Sequence, residues 1–89
     1  MSLTVVIALA VENYDKFEEV FTERASARAE AGLEAKAYRD IDDANRVVVI
    51  STAPSKEAFM GFMTSQEQQE ALKAGGIQGP PDVTFLKQI

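Results

Sequence analysis

Apolar residues occupy both faces of the first strand-like segment. Residues 3–11 are rich in β-branched side chains, with Leu3, Val5, Ile7, Leu9 and Val11 on one parity and Val6, Ala8 and Ala10 on the other. A strand that is apolar on both faces is typical of a sheet covered on both sides. We expect a buried strand here, because the segment is too short to span a bilayer and no basic region precedes it.

Helical spacing begins directly after this strand. Asn13 is a favourable N-cap, and Gly32 can adopt the left-handed conformation that ends a helix. Between them the apolar positions fall on one arc of a helical wheel, formed by Tyr14, Phe17, Phe21 and Ala25. The pattern predicts a single helix over residues 14–31.

A hairpin and a second helix are predicted next. Residues 33–41 and 46–53 form two apolar segments separated by residues 42–45, Asp-Asp-Ala-Asn. Asp and Asn favour a turn because their side chains bond the local backbone. Pro54 ends the second of these strands, and Ser55 caps a helix that continues through residues 62–63.

The remaining residues predict one more helical segment and one strand. Ser65 and Gln68 have the spacing of a capping box, which predicts a helix that ends at Ala74 before a Gly-Gly pair. We expect residues 79–81, Gly-Pro-Pro, to prevent regular structure, because proline lacks a backbone donor. Residues 82–89 then form the last strand.

The order of these elements is β-α-β-β-α-β, which predicts a ferredoxin-like α+β fold with a four-stranded antiparallel sheet. No linker or repeat interrupts the 89 residues, so we expect one domain over residues 1–89. Helices cover one face of such a sheet, yet the second face is also apolar, as Val48 and Ile50 show. We therefore expect a homodimer, a dimeric α+β barrel, in which a second copy covers that face. In the alternative, Ala8 and Ala10 tolerate exposure in a monomer.

Composition excludes several classes of function. Nine Lys and Arg against fourteen Asp and Glu give a net charge of −5, which argues against a nucleic-acid partner or an anionic membrane surface. The chain has no Cys, His or Trp. It therefore lacks thiolate nucleophiles and the usual zinc and haem ligands. We expect no metal and no cofactor, and a cytoplasmic location in the absence of a signal segment or disulfides.

Several motifs together resemble the small dimeric α+β barrel proteins, in particular the uncharacterised branch similar to antibiotic biosynthesis monooxygenases. They are, in order, Arg28-x-x-Ala31-Gly32-Leu33, Tyr38-Arg39-Asp40, and Gly79-Pro80-Pro81 before a Val-x-Phe strand. The resemblance covers the whole chain and implies a homodimer with a cleft between helices and sheet in each subunit. In that superfamily the cleft serves cofactor-free oxygenation of aromatic polyketides, haem degradation or isomerisation. Haem-degrading members use His and Trp, so the resemblance sets that branch aside here.

Two arginines are the first candidate ligand-binding residues. Arg24 and Arg28 fall inside the apolar arc of the first helix, where an isolated buried charge is costly. In one interpretation they line the cleft and bind an anionic or carbonyl group of a ligand. In the other, favoured one, their stems pack while their charged ends reach the carbonyls at the end of the helix.

Tyr38, Arg39 and Asp40 form a second candidate cluster. The Tyr38 hydroxyl could donate a hydrogen bond to a substrate carbonyl, and Asp40 could act as a base if burial raised its pKa. The favoured alternative is an ion pair at the hairpin, with a half-buried tyrosine at the edge of the sheet.

The last candidates lie around an apolar pocket. Phe21, Phe59 and Met63 could contact an aromatic ligand, although residues at this spacing are more often plain core. Asn13 could place an amide at the cleft mouth, but its role as a helix cap is sufficient. No catalytic residue is assigned.

Three functions remain open at this point. The first is a protein that binds a small apolar or aromatic molecule in the cleft. The second is a cofactor-independent monooxygenase or isomerase that acts on an aromatic substrate. The third is a structural dimer without chemistry in the cleft. An open cleft containing Arg28 and Tyr38 favours the first two, whereas a cleft closed by phenylalanines favours the third.

Overall fold

The secondary structure follows the predicted order, with each helical region divided in two. A computed structural model describes residues 3–89. Its elements are β1 (Leu3–Val11), α1 (Tyr14–Glu23), α2 (Ala25–Glu30), β2 (Glu34–Arg39), β3 (Arg46–Ala53), α3 (Lys56–Met63), α4 (Gln66–Ala74) and β4 (Ile77–Leu86). The bounds predicted for β1 and β3 are confirmed, as are the Ser55 cap of α3 and the Ser65 cap of α4.

The four strands form one antiparallel sheet in the order β2-β3-β1-β4. The central strand β1 pairs with β3 on one side and with β4 on the other, so β2 and β4 are the edges. This topology confirms the predicted ferredoxin-like α+β fold. All four helices pack on one face of the sheet. The buried apolar side chains of the strands lie on that face, where they contact the helices.

The core consists of the side chains on one face of β1 and β3, of Leu33 just before β2, and of two phenylalanines from the helices. Its buried members are Val5, Ile7, Leu9, Val11, Phe17, Leu33, Val47, Val49, Ala53 and Phe59. Phe59 is 2% exposed and meets the ring of Phe85 edge-on, with the ring centroids 5.6 Å apart. Burial of this apolar surface is the main force that holds the helix layer on the sheet.

The opposite face of the sheet also carries apolar side chains, as the sequence predicts. Val6 lies beside Ile50 in the β1–β3 pairing, and Ala8 lies beside Val48. Ile50 is 42% exposed and Leu86 is 45% exposed. We call this surface, formed by Val6, Ala8, Tyr38, Val48, Ile50 and Leu86, the open face. No element within residues 3–89 covers it.

The prediction of a single helix over residues 14–31 is wrong in one respect, because the helix breaks at Arg24. That residue has φ −88° and ψ 3°, so the backbone does not repeat the helical angles there. Backbone hydrogen bonds still bridge the break, from the Arg24 amide to the Val20 carbonyl and from the Arg28 amide to the Arg24 carbonyl. The two segments therefore keep one apolar side towards the sheet. The predicted stop is confirmed, because Gly32 has φ +79°.

The prediction that residues 79–81 lack regular structure is also wrong. β4 runs through them, from Ile77 to Leu86, and its register against β1 shifts between Ala8, which faces Asp82, and Ala10, which faces Gln78. An edge strand has one row of backbone groups without a strand partner, so prolines are tolerated in it, especially at a bulge. The strand ends at Leu86, short of the predicted residue 89.

The β2–β3 hairpin is shorter than predicted, because Asp40 organises the turn. Its carboxylate accepts hydrogen bonds from the backbone amides of Asp42 and Asp43, at 2.8 and 3.2 Å. Arg46 forms an ion pair with the same carboxylate at 3.1 Å. These bonds end β2 at Arg39, and the backbone amide of Asp42 contributes most to lowering the pKa of Asp40, followed by the side chain of Arg46.

Because the pKa of Asp40 is lowered, the free energy of unfolding should depend on pH through this residue. A carboxyl group whose pKa is lower in the folded state adds stability above its unfolded pKa, and this contribution disappears as pH falls through the folded pKa. We expect Asp40→Asn to lower the urea midpoint at pH 7. The difference from wild type should shrink as pH falls below the ordinary value of 3.8.

Asp42→Asn is the matched control, because the Asp42 carboxylate accepts no hydrogen bond within residues 3–89. Its urea midpoint should stay close to wild type at every pH. Equal midpoints for Asp40→Asn and wild type at pH 7 would contradict the stabilising role of the Asp40 carboxylate.

Candidate functional site

A cavity of about 60 Å³ lies between the helix layer and the sheet. Most of its wall is apolar. α1 contributes Phe17 and Phe21, α3 contributes Phe59, Phe62 and Met63, and the sheet contributes Ile7, Leu9, Ala35 and Val49. The core is therefore not filled where the two helical regions meet over β1 and β3. A concave, mainly apolar pocket of this kind is the usual form of a small-molecule site.

Three polar side chains also line this cavity, one from each of three elements. They are Arg28 of α2, Ser51 of β3 and Gln68 of α4. Ser51 is 3% exposed and is the one polar residue in the buried core of residues 3–89. Its hydroxyl donates to the carbonyl of Thr52 at 3.1 Å, so its lone pairs remain able to accept a hydrogen bond. Neither Asp nor Glu is part of the wall.

A second, smaller cavity of about 40 Å³ adjoins the first. The two share the side chains of Phe17, Phe21, Arg28, Gln68 and Leu72. Each of these side chains borders both cavities, and we call the five together the partition. We call the two cavities together the cleft.

A long-range hydrogen bond fixes one end of this partition. Arg24, at the break between α1 and α2, donates from Nε to Oε1 of Gln68 at 3.0 Å. The backbone amide of Gln68 in turn donates to the Ser65 hydroxyl, which caps α4. The capping box is thus only half formed, since the Gln68 side chain bonds Arg24 instead of returning to its own helix end. This bond ties the first helical region to the last helix.

Arg28 has an unusual electrostatic setting for a surface arginine. Its guanidinium carbon lies 3.8 Å from the centroid of the Phe21 ring, a close cation–π contact. Within residues 3–89 the guanidinium forms no ion pair, since the one ion pair there joins Arg46 and Asp40. Partial burial, and then the nearby charge of Arg24, lower the pKa of Arg28. A positive charge at this position therefore costs folding free energy at neutral pH.

Five of the sequence-predicted candidates meet at the cleft. Arg28, Phe21, Phe59 and Met63 line the larger cavity, and Arg24 lines the smaller one. The arginine heads do not extend to the helix carbonyls, because Arg28 packs on Phe21 and Arg24 binds Gln68. Both arginine side chains therefore border the cleft, and their binding of a ligand stays a prediction.

The other four candidates lie outside the cleft. Tyr38 is 50% exposed on the open face, and Asn13 caps α1 by accepting from the Lys16 amide. Arg39 packs over the Tyr14 ring at 4.5 Å. Asp40 forms the hairpin ion pair that its alternative interpretation describes, and its pKa is lowered instead of raised.

The sequence analysis missed three features of the cleft: Ser51, Leu72 and the hydrogen bond between Gln68 and Arg24. A signal for Ser51 exists, because it interrupts the core parity of β3 between Val49 and Ala53. Gln68 carries no such signal, since its contact with Arg24 joins residues far apart in the chain. Leu72 faces the cleft from α4, whose outer residues are mostly polar.

Two further observations concern the part of the chain that the structure describes. Residues 3–89 contain no cluster of three or more His, Cys, Asp or Glu side chains placed to hold a metal ion. No helix in that range has the length and hydropathy needed to cross a membrane.

Comparison with solved structures finds close relatives of the fold. A Bordetella bronchiseptica protein, a candidate antibiotic biosynthesis monooxygenase, superposes with a TM-score of 0.85 at 18% identity, covering 99% of this chain and 97% of that one. SnoaB of Streptomyces nogalater, a cofactor-independent oxygenase, gives a TM-score of 0.80 at 18% identity, with 99% and 93% covered. A third candidate monooxygenase, from Caulobacter crescentus, gives 0.76 at 21% identity, with 99% and 90% covered.

These structural likenesses establish the fold, and the sequence itself establishes the family. A search of curated proteins gave no significant match. The sequence model for antibiotic biosynthesis monooxygenases, however, matches residues 2–74, which is most of the chain. The motifs that resemble this family and the helix-covered antiparallel sheet agree with that match. The chain belongs to the antibiotic biosynthesis monooxygenase family.

Proposed function

We propose that this protein binds a small aromatic molecule in the cleft between its helices and its sheet. The observation that carries the proposal is the cavity of about 60 Å³, whose wall combines aromatic side chains with Arg28, Ser51 and Gln68. Apolar walls supply binding energy by burying the ligand, while a few polar groups set its orientation. A dimer with a purely structural role does not require a cavity whose wall includes the charged side chain of Arg28.

Ligand binding must enlarge the cleft. An engineered cavity that binds benzene has a volume of about 150 Å³. The cavity of about 60 Å³ in this protein is therefore too small for one aromatic ring. Met63 and Phe62 are partly buried side chains on the wall and are suited to move, methionine in particular because it is unbranched and flexible. Opening of the partition around Gln68 and Leu72 adds the smaller cavity to the same space.

Binding of a neutral aromatic probe tests this proposal. We expect 1-naphthamide to perturb the NMR signals of Phe59 and Met63 in a saturable titration. Ser51→Val adds apolar volume inside the cavity and should weaken binding about tenfold, equivalent to ~1.4 kcal/mol. Thr52→Val is the matched control, because Thr52 is the next residue of β3 and is exposed on the other face. No saturable binding by wild type, or equal weakening in both variants, would overturn the proposal.

The second candidate function is oxygenation of the bound ring without a cofactor. Family membership and the fold shared with the cofactor-independent oxygenase SnoaB favour it. An electron-rich quinol ring can itself supply all the electrons that reduce O₂. With 1,4-dihydroxynaphthalene, one oxygen atom becomes the new hydroxyl of 2-hydroxy-1,4-naphthoquinone and the other leaves as water. The positive charge of Arg28 would stabilise the ring anion that reacts with oxygen.

Product formation under ¹⁸O₂ checks the oxygenase proposal. We expect wild type to produce singly labelled 2-hydroxy-1,4-naphthoquinone faster than the uncatalysed reaction. Arg28→Gln should reduce kcat about 100-fold, because it removes charge stabilisation of the reacting anion. Lys73→Gln removes an equal charge from an exposed site on α4 that lines neither cavity, and should leave kcat unchanged. A wild-type rate equal to autoxidation would contradict oxygenation of this quinol.

We also propose that two copies of the chain pack through their open faces. Val6, Val48, Ile50 and Leu86 present apolar surface there that no element of residues 3–89 covers. Burying contiguous apolar area is favourable, and a self-complementary contact about a two-fold axis lets one surface serve both copies. The cytoplasm remains our prediction for the location of this dimer.

A charge placed on the open face should separate the copies. We expect Ile50→Glu to shift the mass measured by light scattering from about twice to once the mass of the 9.7 kDa chain, because two buried carboxylates would face an apolar partner. Ile41→Glu is the control, since Ile41 is 98% exposed in the hairpin turn and lies away from the open face. A wild-type mass near 9.7 kDa at micromolar concentration would contradict the dimer.

A further inference from the structure

The cleft brings two arginines together without any acidic partner. Arg24 and Arg28 both line the smaller cavity, and Arg28 lines the larger one as well. Neither guanidinium has a carboxylate within ion-pair distance among residues 3–89. No Asp or Glu belongs to the wall of either cavity. In a chain of net charge −5, this is a local concentration of positive charge.

The other polar group at this place is a donor as well. The Arg24 Nε can only donate a hydrogen bond, so the Gln68 amide must turn its oxygen towards it. The Gln68 NH₂ group is then the end of the amide that points away from Arg24, and it donates to no protein atom within residues 3–89. Arg28, Arg24 and Gln68 together offer N–H donors and no compensating negative charge.

Such an arrangement of like charges and donors is unfavourable by itself. Partial burial and the neighbouring Arg24 lower the pKa of Arg28, so its charge is held against desolvation and like-charge repulsion. The Phe21 and Phe62 rings beneath the two guanidinium groups relieve this only in part. Unpaired, partly desolvated charges in a cleft are a recurrent feature of sites that bind an oppositely charged group.

We propose that the ligand of the cleft is an aromatic acid, whose negatively charged oxygen binds Arg28 while Arg24 and Gln68 surround it. This inference rests on the proposed binding function and adds the charge of the ligand to it. The ring of the ligand lies among the phenylalanines, and its carboxylate or ionised phenol oxygen faces the arginines. Hydrogen bonds to charged groups are stronger than neutral ones, and guanidinium matches a carboxylate in a two-point contact.

The same contact explains how the cleft can open. The Arg24–Gln68 bond ties the first helical region to α4 across the partition between the cavities. A ligand anion offers Arg24 a stronger acceptor than the neutral Gln68 amide. Exchange of one acceptor for the other frees the Gln68 amide, which borders both cavities, to turn its N–H donors towards the anion, and the two cavities can then join. The anion therefore provides the differential interaction that shifts the protein towards its open form.

A pair of probes that differ only in charge tests the inference. 1-Naphthoate and 1-naphthamide have nearly the same shape, and calorimetric titration measures the dissociation constant of each. We expect wild type to bind naphthoate about tenfold more tightly than naphthamide, the gain expected of one charge-assisted hydrogen bond. Arg28→Gln should abolish this preference, because it weakens the binding of naphthoate more than the binding of naphthamide. Lys73→Gln, which removes an exposed charge of α4, should retain the full preference.

The possible outcomes separate this inference from the function on which it rests. Equal affinity of wild type for the two probes overturns the anionic ligand and leaves the binding cleft standing. Failure of both probes to bind overturns the binding function and the inference together. A preference that survives in Arg28→Gln overturns the role of Arg28. The comparison of the two probes on wild type does not depend on whether any variant folds.

Discussion

The structure depends on the packing of all four helices against one face of a sheet that is apolar on both. Val5, Val47 and Val49 lie on the helix-facing side of β1 and β3 and share one core with Phe59. In so small a chain this single core supplies most of the apolar surface that folding can bury. Two consequences follow from the same constraint. The opposite face is left with its apolar residues uncovered, and the helices must bridge the sheet with short elements that do not fill every space beneath them.

The cleft is the place where this packing is incomplete, and its polar residues explain why. Ser51 occupies a core position of β3 that its neighbours Val49 and Ala53 fill with apolar atoms. Arg28 lines the same cavity from the helix layer. A close-packed core would need a larger apolar side chain at the first position and no charge at the second. Ser51 and Arg28 therefore fill the space less completely than apolar side chains would, which is the pattern expected where function is traded against stability.

The element order could be read from the sequence because local rules govern it. Parity determined the extents of β1 and β3, and side-chain caps at Asn13, Ser55 and Ser65 marked three helix starts. The errors arose where a distant contact decides. β4 continues through Gly-Pro-Pro because it is an edge strand, which depends on the strand order and not on the residues themselves. The helical wheel placed Arg28 on the apolar arc, and the half-buried side chain borders the cleft, but the wheel could not show that Gln68, on another helix, would hold Arg24.

The small volume of the larger cavity, about 60 Å³, has a consequence for the affinity of a ligand. If the form that accepts a ring is a minor population, the measured affinity is the intrinsic affinity reduced by that fraction. A neutral ligand must supply the whole opening energy from apolar burial alone. In our proposal an anionic ligand gains twice, because it pairs with Arg28 and also replaces the neutral acceptor that holds Arg24 to α4. In this proposal charge selectivity and cleft opening are coupled through Arg24, whose guanidinium holds Gln68 across the cleft and would turn to the ligand anion beside Arg28.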